Sequence, residues 1–108
     1  ETALNVALKK DKPSNVSVSG VAASALGAKS IGNICFNLSK ENQIESLVIS
    51  DDEIETAQRL LWETHRIFVE PAGAAALAAI ISGKYKPKTD EKLAVLICGA
   101  NPNIVPEF

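Results

Sequence analysis

From Pro71 to Gly83 the chain carries no charged side chain, reading Pro71-Ala72-Gly73-Ala74-Ala75-Ala76-Leu77-Ala78-Ala79-Ile80-Ile81-Ser82-Gly83. Proline suits the first turn of a helix, where its missing N–H would be unpaired in any case. Glycine suits the left-handed position just past a helix end. The helix so bounded is polar on no face, so burial all round is expected, and it is too short to span a bilayer. Its first turn has almost no side-chain volume, so another helix, a strand or a bound ring can approach its backbone there. Packing alone would also account for the pattern.

The 108 residues suffice for one small domain with a modest core. Aromatic residues make up only 5%, so that core is expected to be aliphatic and fine-grained. The formal net charge is −2, with both signs interspersed, which gives no electrostatic case for a nucleic acid or an anionic membrane surface. No targeting or transmembrane run is present. Cys35 and Cys98 lie far apart in apolar surroundings without a CxxC, which points to a reducing, cytoplasmic setting. Methionine is absent even at position one, so the chain is expected to be cut from something longer.

Residues 1–10 read as a helix with Leu4, Ala7 and Leu8 on one face, stopped by Lys12-Pro13-Ser14-Asn15. Val16-Ser17-Val18 suits a short extended piece, and residues 19–26 a short helix ended by Gly27 as C-cap. A helix over residues 31–40 is expected to bury Ile34, Cys35 and Leu38. Residues 44–49 form a strand candidate. Ser50-Asp51-Asp52-Glu53 has the form of a capping box and opens a helix to about His65, with Ile54, Ala57, Leu60 and Leu61 as its apolar face. Its three carboxylates read as solvated caps rather than metal ligands, and His65 as a structural or surface residue. Leu93-Ala94-Val95-Leu96-Ile97 is a continuous apolar run, the pattern of a strand covered on both faces. Small and polar residues follow at once, where α/β sheets place ligands. The expected fold class is α/β: part of an open, mostly parallel sheet flanked by helices.

Two stretches, Val69-Glu70-Pro71-Ala72-Gly73-Ala74-Ala75-Ala76-Leu77-Ala78-Ala79 and Leu96-Ile97-Cys98-Gly99-Ala100-Asn101, resemble the C-terminal part of the serine/threonine dehydratases. These are pyridoxal-phosphate enzymes of the tryptophan-synthase-β-like class. Val21-Ala22-Ala23-Ser24-Ala25-Leu26-Gly27-Ala28-Lys29 and Val48-Ile49-Ser50-Asp51-Asp52-Glu53 are similar to segments of the same family in the same order. The cysteine in the second stretch is most like the liver-type L-serine dehydratases. The resemblance implies that Cys98 faces the ring nitrogen of the cofactor, with Gly99 and Asn101 behind it. Glu70 would lie near the ring edge, or else simply sit in the dipole field of its helix. The resemblance also implies a monovalent-cation site, such as one for potassium, to which the carbonyls of Leu26 and Ala28 would contribute. Ala3 falls where the family places a hydroxyl ligand of that site.

The family's Schiff-base lysine, its glycine-rich phosphate loop and its substrate-carboxylate loop have no match in these residues. The expectation is therefore a single partial domain, residues 1–108, from the cofactor-binding domain of an L-serine/L-threonine ammonia-lyase, inactive alone. The complete enzyme would take a small amino acid and form a homo-oligomer, or this piece would associate with the missing N-terminal part. A non-catalytic self-associating module is the alternative, as is part of a related enzyme such as serine racemase or threonine synthase.

Overall fold

The capping box read at Ser50 is formed in the computed structural model, which describes residues 2–100. The described elements are α1 (Ala3–Lys10), α2 (Ala23–Leu26), α3 (Asn33–Glu41), α4 (Asp51–His65) and α5 (Pro71–Ile81). They fall into two units, divided between Val48 and Ile49.

In the first unit α1 ends where Asp11 turns left-handed (φ 57°), and its N–H returns to the carbonyl of Ala7. Lys9 and Lys10 lie in the last turn, at the negative end of the helix dipole. Asn5 donates from Nδ2 to the carbonyl of Ser46 at 3.0 Å, tying α1 to the segment after α3. The buried residues of α3 are Phe36 and Ser39, whereas Ile34 is 78% and Leu38 51% exposed and Cys35 is also exposed. This reverses the expected face. Phe36 brings the larger apolar surface. Ser39 tolerates burial because its hydroxyl donates to the Cys35 carbonyl at 2.7 Å. Gly27 does cap α2, but at φ −88° rather than left-handed. Its requirement is space: a Cβ there would overlap the carbonyl oxygen of Ala23 and stand 2.8 Å from Val18 Cγ1.

In the second unit α4 and α5 pack on each other. Ile54, Ala57 and Leu61 are buried from α4, as the spacing predicts, while Leu60 stays partly exposed. Pro71 opens α5, and Gly83 adopts the left-handed φ of 76°. Burial of α5 is confined to Gly73, Ala74 and Ala78, so the expectation of a helix covered on every side is not met. It is covered by α4 along part of its length and by a non-helical segment at Gly73.

No strand is formed among the described residues. The runs at residues 44–49 and 93–97 lack regular structure, and Leu93 and Leu96 are 44% and 74% exposed rather than covered. A strand exists through a ladder partner, and no described segment pairs with either run, so the sheet of the α/β expectation is not built here. No described helix is long and apolar enough to cross a membrane.

At the start of α4 the Ser50 N–H donates to Glu53 Oε2 at 2.7 Å, and Lys84 Nζ approaches the same oxygen at 2.7 Å. Lys84 chiefly, and then the Ser50 amide, hold the Glu53 carboxyl below its ordinary value of 4.5. A carboxyl lowered by folding stabilises the folded state in full above its unfolded value. That contribution is lost as pH falls through the lower folded value. Acid titration of amide exchange in the first turn of α4 should therefore show protection declining as pH drops below 4.5. Lys84→Met should flatten that decline, and an unchanged slope would mean that the pair contributes nothing.

Candidate functional site

The second unit brings together residues far apart in sequence at the N-terminal end of α5. The approach is set by α4, which stops where Arg66 turns left-handed (φ 55°). The Ile67 N–H returns to the Leu61 carbonyl at 3.2 Å. Phe68 meets Trp62 edge-on, with ring centroids 6.4 Å apart. Val69 is then buried, only 2% exposed.

Glu70 is the N-cap of α5 in extended conformation, and its carboxylate makes no capping hydrogen bond. Its N–H instead donates to the carbonyl of Gly99 at 3.3 Å. Gly73, one turn on, is where the backbones meet. A Cβ at that position would lie 2.5 Å from Val69 Cγ2, 3.2 Å from the Gly99 oxygen and 3.4 Å from the Cys98 carbonyl carbon. The close approach expected at this small-residue turn is thus made by the Cys98-Gly99 backbone. On the other side of that backbone the chain is open. Cys98, Gly99 and Ala100 are exposed, and the nearest atom to a Cβ on Gly99 would be Glu70 Oε1 at 3.9 Å.

Three of the residues singled out in the sequence, Glu70, Cys98 and Gly99, therefore share one corner. Asn101 lies outside the described residues. Cys98 is a free, exposed thiol rather than a buried small hydrophobe. Leu26 and Ala28 belong to the first unit and are exposed. His65 is at the surface, 2.6 Å from the Thr64 hydroxyl through Nδ1, as its position at a helix end suggested. Among the described residues no group of three His, Cys, Asp or Glu side chains is arranged to hold a metal ion. A groove of about 290 Å³ lies at the far end of the α4–α5 pair, lined by Asp52, Glu53, Thr56, Leu60, Ile81 and Ser82. It contains none of the residues singled out as cofactor contacts.

Two contributors to the corner escaped the sequence reading, Val69 as the packing partner of Gly73 and Gln58 as described below. The signal for the first was Gly73 itself, the one glycine inside an alanine-rich helix.

The chain is similar to known proteins over most of its length. The family model described as "Pyridoxal-phosphate dependent enzyme" matches residues 2–99. Serine racemase of Dictyostelium discoideum is 36% identical over 75 residues, covering 68% of this chain and 23% of that protein. L-serine dehydratase/L-threonine deaminase of Rattus norvegicus is 38% identical over 87 residues, covering 73% of this chain and 24% of that protein. The crystal structure of a threonine deaminase from T.th. superposes with a TM-score of 0.83 at 26% identity, over 96% of this chain and 37% of that one. The chain thus spans about a quarter of the length of the curated relatives it matches.

Proposed function

The chain belongs to the pyridoxal-phosphate dependent enzyme family, related to serine/threonine dehydratases and serine racemase, and from that premise we propose that it forms one wall of the cofactor site in an L-serine/L-threonine ammonia-lyase. The observation that carries this reading is the exposed Cys98-Gly99 segment, pinned by Glu70 and seated on Gly73. It offers a side-chain-poor surface with a thiol at one end and a carboxylate beside it, which suits the edge and face of a flat heteroaromatic ring.

When bound, pyridoxal phosphate supplies the electron sink for cleavage at the α-carbon of an amino acid. Cys98 would meet the ring nitrogen with a weak donor and without negative charge. Unlike a carboxylate, it would not hold a proton there. The sink is then moderate, which favours departure of the β-hydroxyl over transamination and leads to a 2-keto acid and ammonia. Gly99 admits the ring to the backbone. Glu70, its carboxylate making no helix cap, would face the ring edge, and Asn101 would extend the same wall. The Leu26 and Ala28 carbonyls would contribute to a monovalent-cation site, for potassium or a similar ion.

In this proposal both units are parts of one cofactor-binding domain of α/β class. The runs at 44–49 and 93–97 become strands when further sequence provides their ladder partners, and that sequence also brings the Schiff-base lysine and phosphate loop. The complete protein would act in the cytoplasm as a homo-oligomer. A second reading, a non-catalytic self-associating module, is favoured by the exposure of Ile34 and Leu96. Incubating the longer protein with pyridoxal phosphate and L-serine or L-threonine should give cofactor absorbance and release of ammonia, and these 108 residues alone should release none. A longer protein showing neither signal would refute the reading, and D-serine in place of ammonia would assign a racemase.

A further inference from the structure

The amide side chain of Gln58 has no part in the site as the sequence describes it, yet it is buried in the middle of α4, only 7% exposed. It donates from Nε2 to the carbonyl of Val69 at 2.9 Å. That carbonyl belongs to the peptide whose N–H is the Glu70 N–H, and the Glu70 N–H is the donor to Gly99. One peptide plane is therefore held at both ends, by Gln58 on its oxygen and by the Gly99 carbonyl on its nitrogen. Because the peptide is planar, fixing the oxygen fixes the direction of the N–H. The Val69 side chain of the same residue packs where Gly73 leaves room.

We propose that Gln58 is a positioning residue: by fixing the Val69–Glu70 peptide it sets where the Cys98-Gly99 backbone and the Glu70 carboxylate stand, and hence the surface offered to the cofactor. That this surface receives the cofactor rests on the proposed function. An amide is suited to the task. Its carbon stem packs in the core, and its N–H pairs with the carbonyl of buried Val69, to which no other described residue donates. A methionine would fill the same space and withdraw that donor.

The test compares Gln58→Met with Ile54→Val, a trimming of another buried side chain of α4 that makes no hydrogen bond, in the longer protein. Gln58→Asn, which keeps the amide but shortens its reach, serves if Gln58→Met does not fold. The readouts are thermal melting, hydrogen exchange at the Glu70 amide, and uptake of pyridoxal phosphate by absorbance. At equal loss of melting temperature, Gln58→Met should speed exchange at Glu70 beyond the control. It should also raise the cofactor dissociation constant about tenfold and shift its absorbance maximum, a change of the size expected from an orphaned buried carbonyl. If exchange, affinity and absorbance all follow Ile54→Val, Gln58 only fills the core and the proposal is overturned. If the wild type takes up no pyridoxal phosphate, the reading of the preceding subsection fails together with the cofactor half of this one, while exchange at Glu70 still decides the geometric half.

Discussion

Gly73→Val is expected to destabilise the second unit by about 3 kcal/mol and to abolish cofactor uptake by the longer protein. The first added carbon already falls 2.5 Å from Val69 Cγ2, and Val69 is a buried, β-branched side chain. The next neighbours are backbone, the Gly99 oxygen and the Cys98 carbon, which move only if the segment moves. Replacing glycine in a helix ordinarily gains up to about 1 kcal/mol in propensity, less for a β-branched residue. Overpacking of about 1–3 kcal/mol together with loss of the Glu70–Gly99 hydrogen bond outweighs that gain. Denaturant unfolding measures the first effect and absorbance titration with pyridoxal phosphate the second. A variant as stable as the parent that still binds the cofactor would show that Cys98-Gly99 does not rest on this turn.

The second large effect belongs to the first unit. Gly27→Ala is expected to cost about 2–3 kcal/mol, because its Cβ meets the Ala23 carbonyl oxygen, a backbone atom of α2 that cannot rotate away. Relief requires α2 to open or the chain at Gly27 to adopt another conformation. Either would displace the flanking carbonyls of Leu26 and Ala28. If those carbonyls hold a monovalent cation, the variant should lose any stimulation by potassium along with melting temperature. Retained potassium dependence in a destabilised variant would place the cation elsewhere. Full stability would show that the local backbone yields more readily than its contacts imply.

What could be read from the sequence was what is decided locally. The Ser50–Glu53 box, the Pro71 start and the left-handed Gly83 each follow from a few adjacent residues, and all three are formed. The strands were illegible for the opposite reason. An apolar run such as 93–97 states a capacity for pairing, and pairing depends on residues remote in sequence. The face of α3 failed on a finer point. Ile34 and Leu38 form one stripe and Phe36 and Ser39 another, and hydropathy favours the first. The hydroxyl of Ser39 satisfies itself on its own helix, so it can be buried at little cost. At the site, Glu70, Cys98 and Gly99 were legible through their motifs. Gln58 was not, because a lone amide in a charged helix reads as solvent-facing until the fold brings the Val69 carbonyl to it.

The hydrogen bond from Glu70 to Gly99 closes a ring of chain whose intervening residues include all of α5. A rigid helical strut shortens the flexible part of that ring, which lowers the entropy lost on closure. Closure and occupancy are then thermodynamically linked, since a ligand that recognises only the closed ring stabilises it in proportion to the logarithm of its concentration. If the proposed cofactor is that ligand, its scarcity would be felt as opening of this ring, which would offer proteases an entry point.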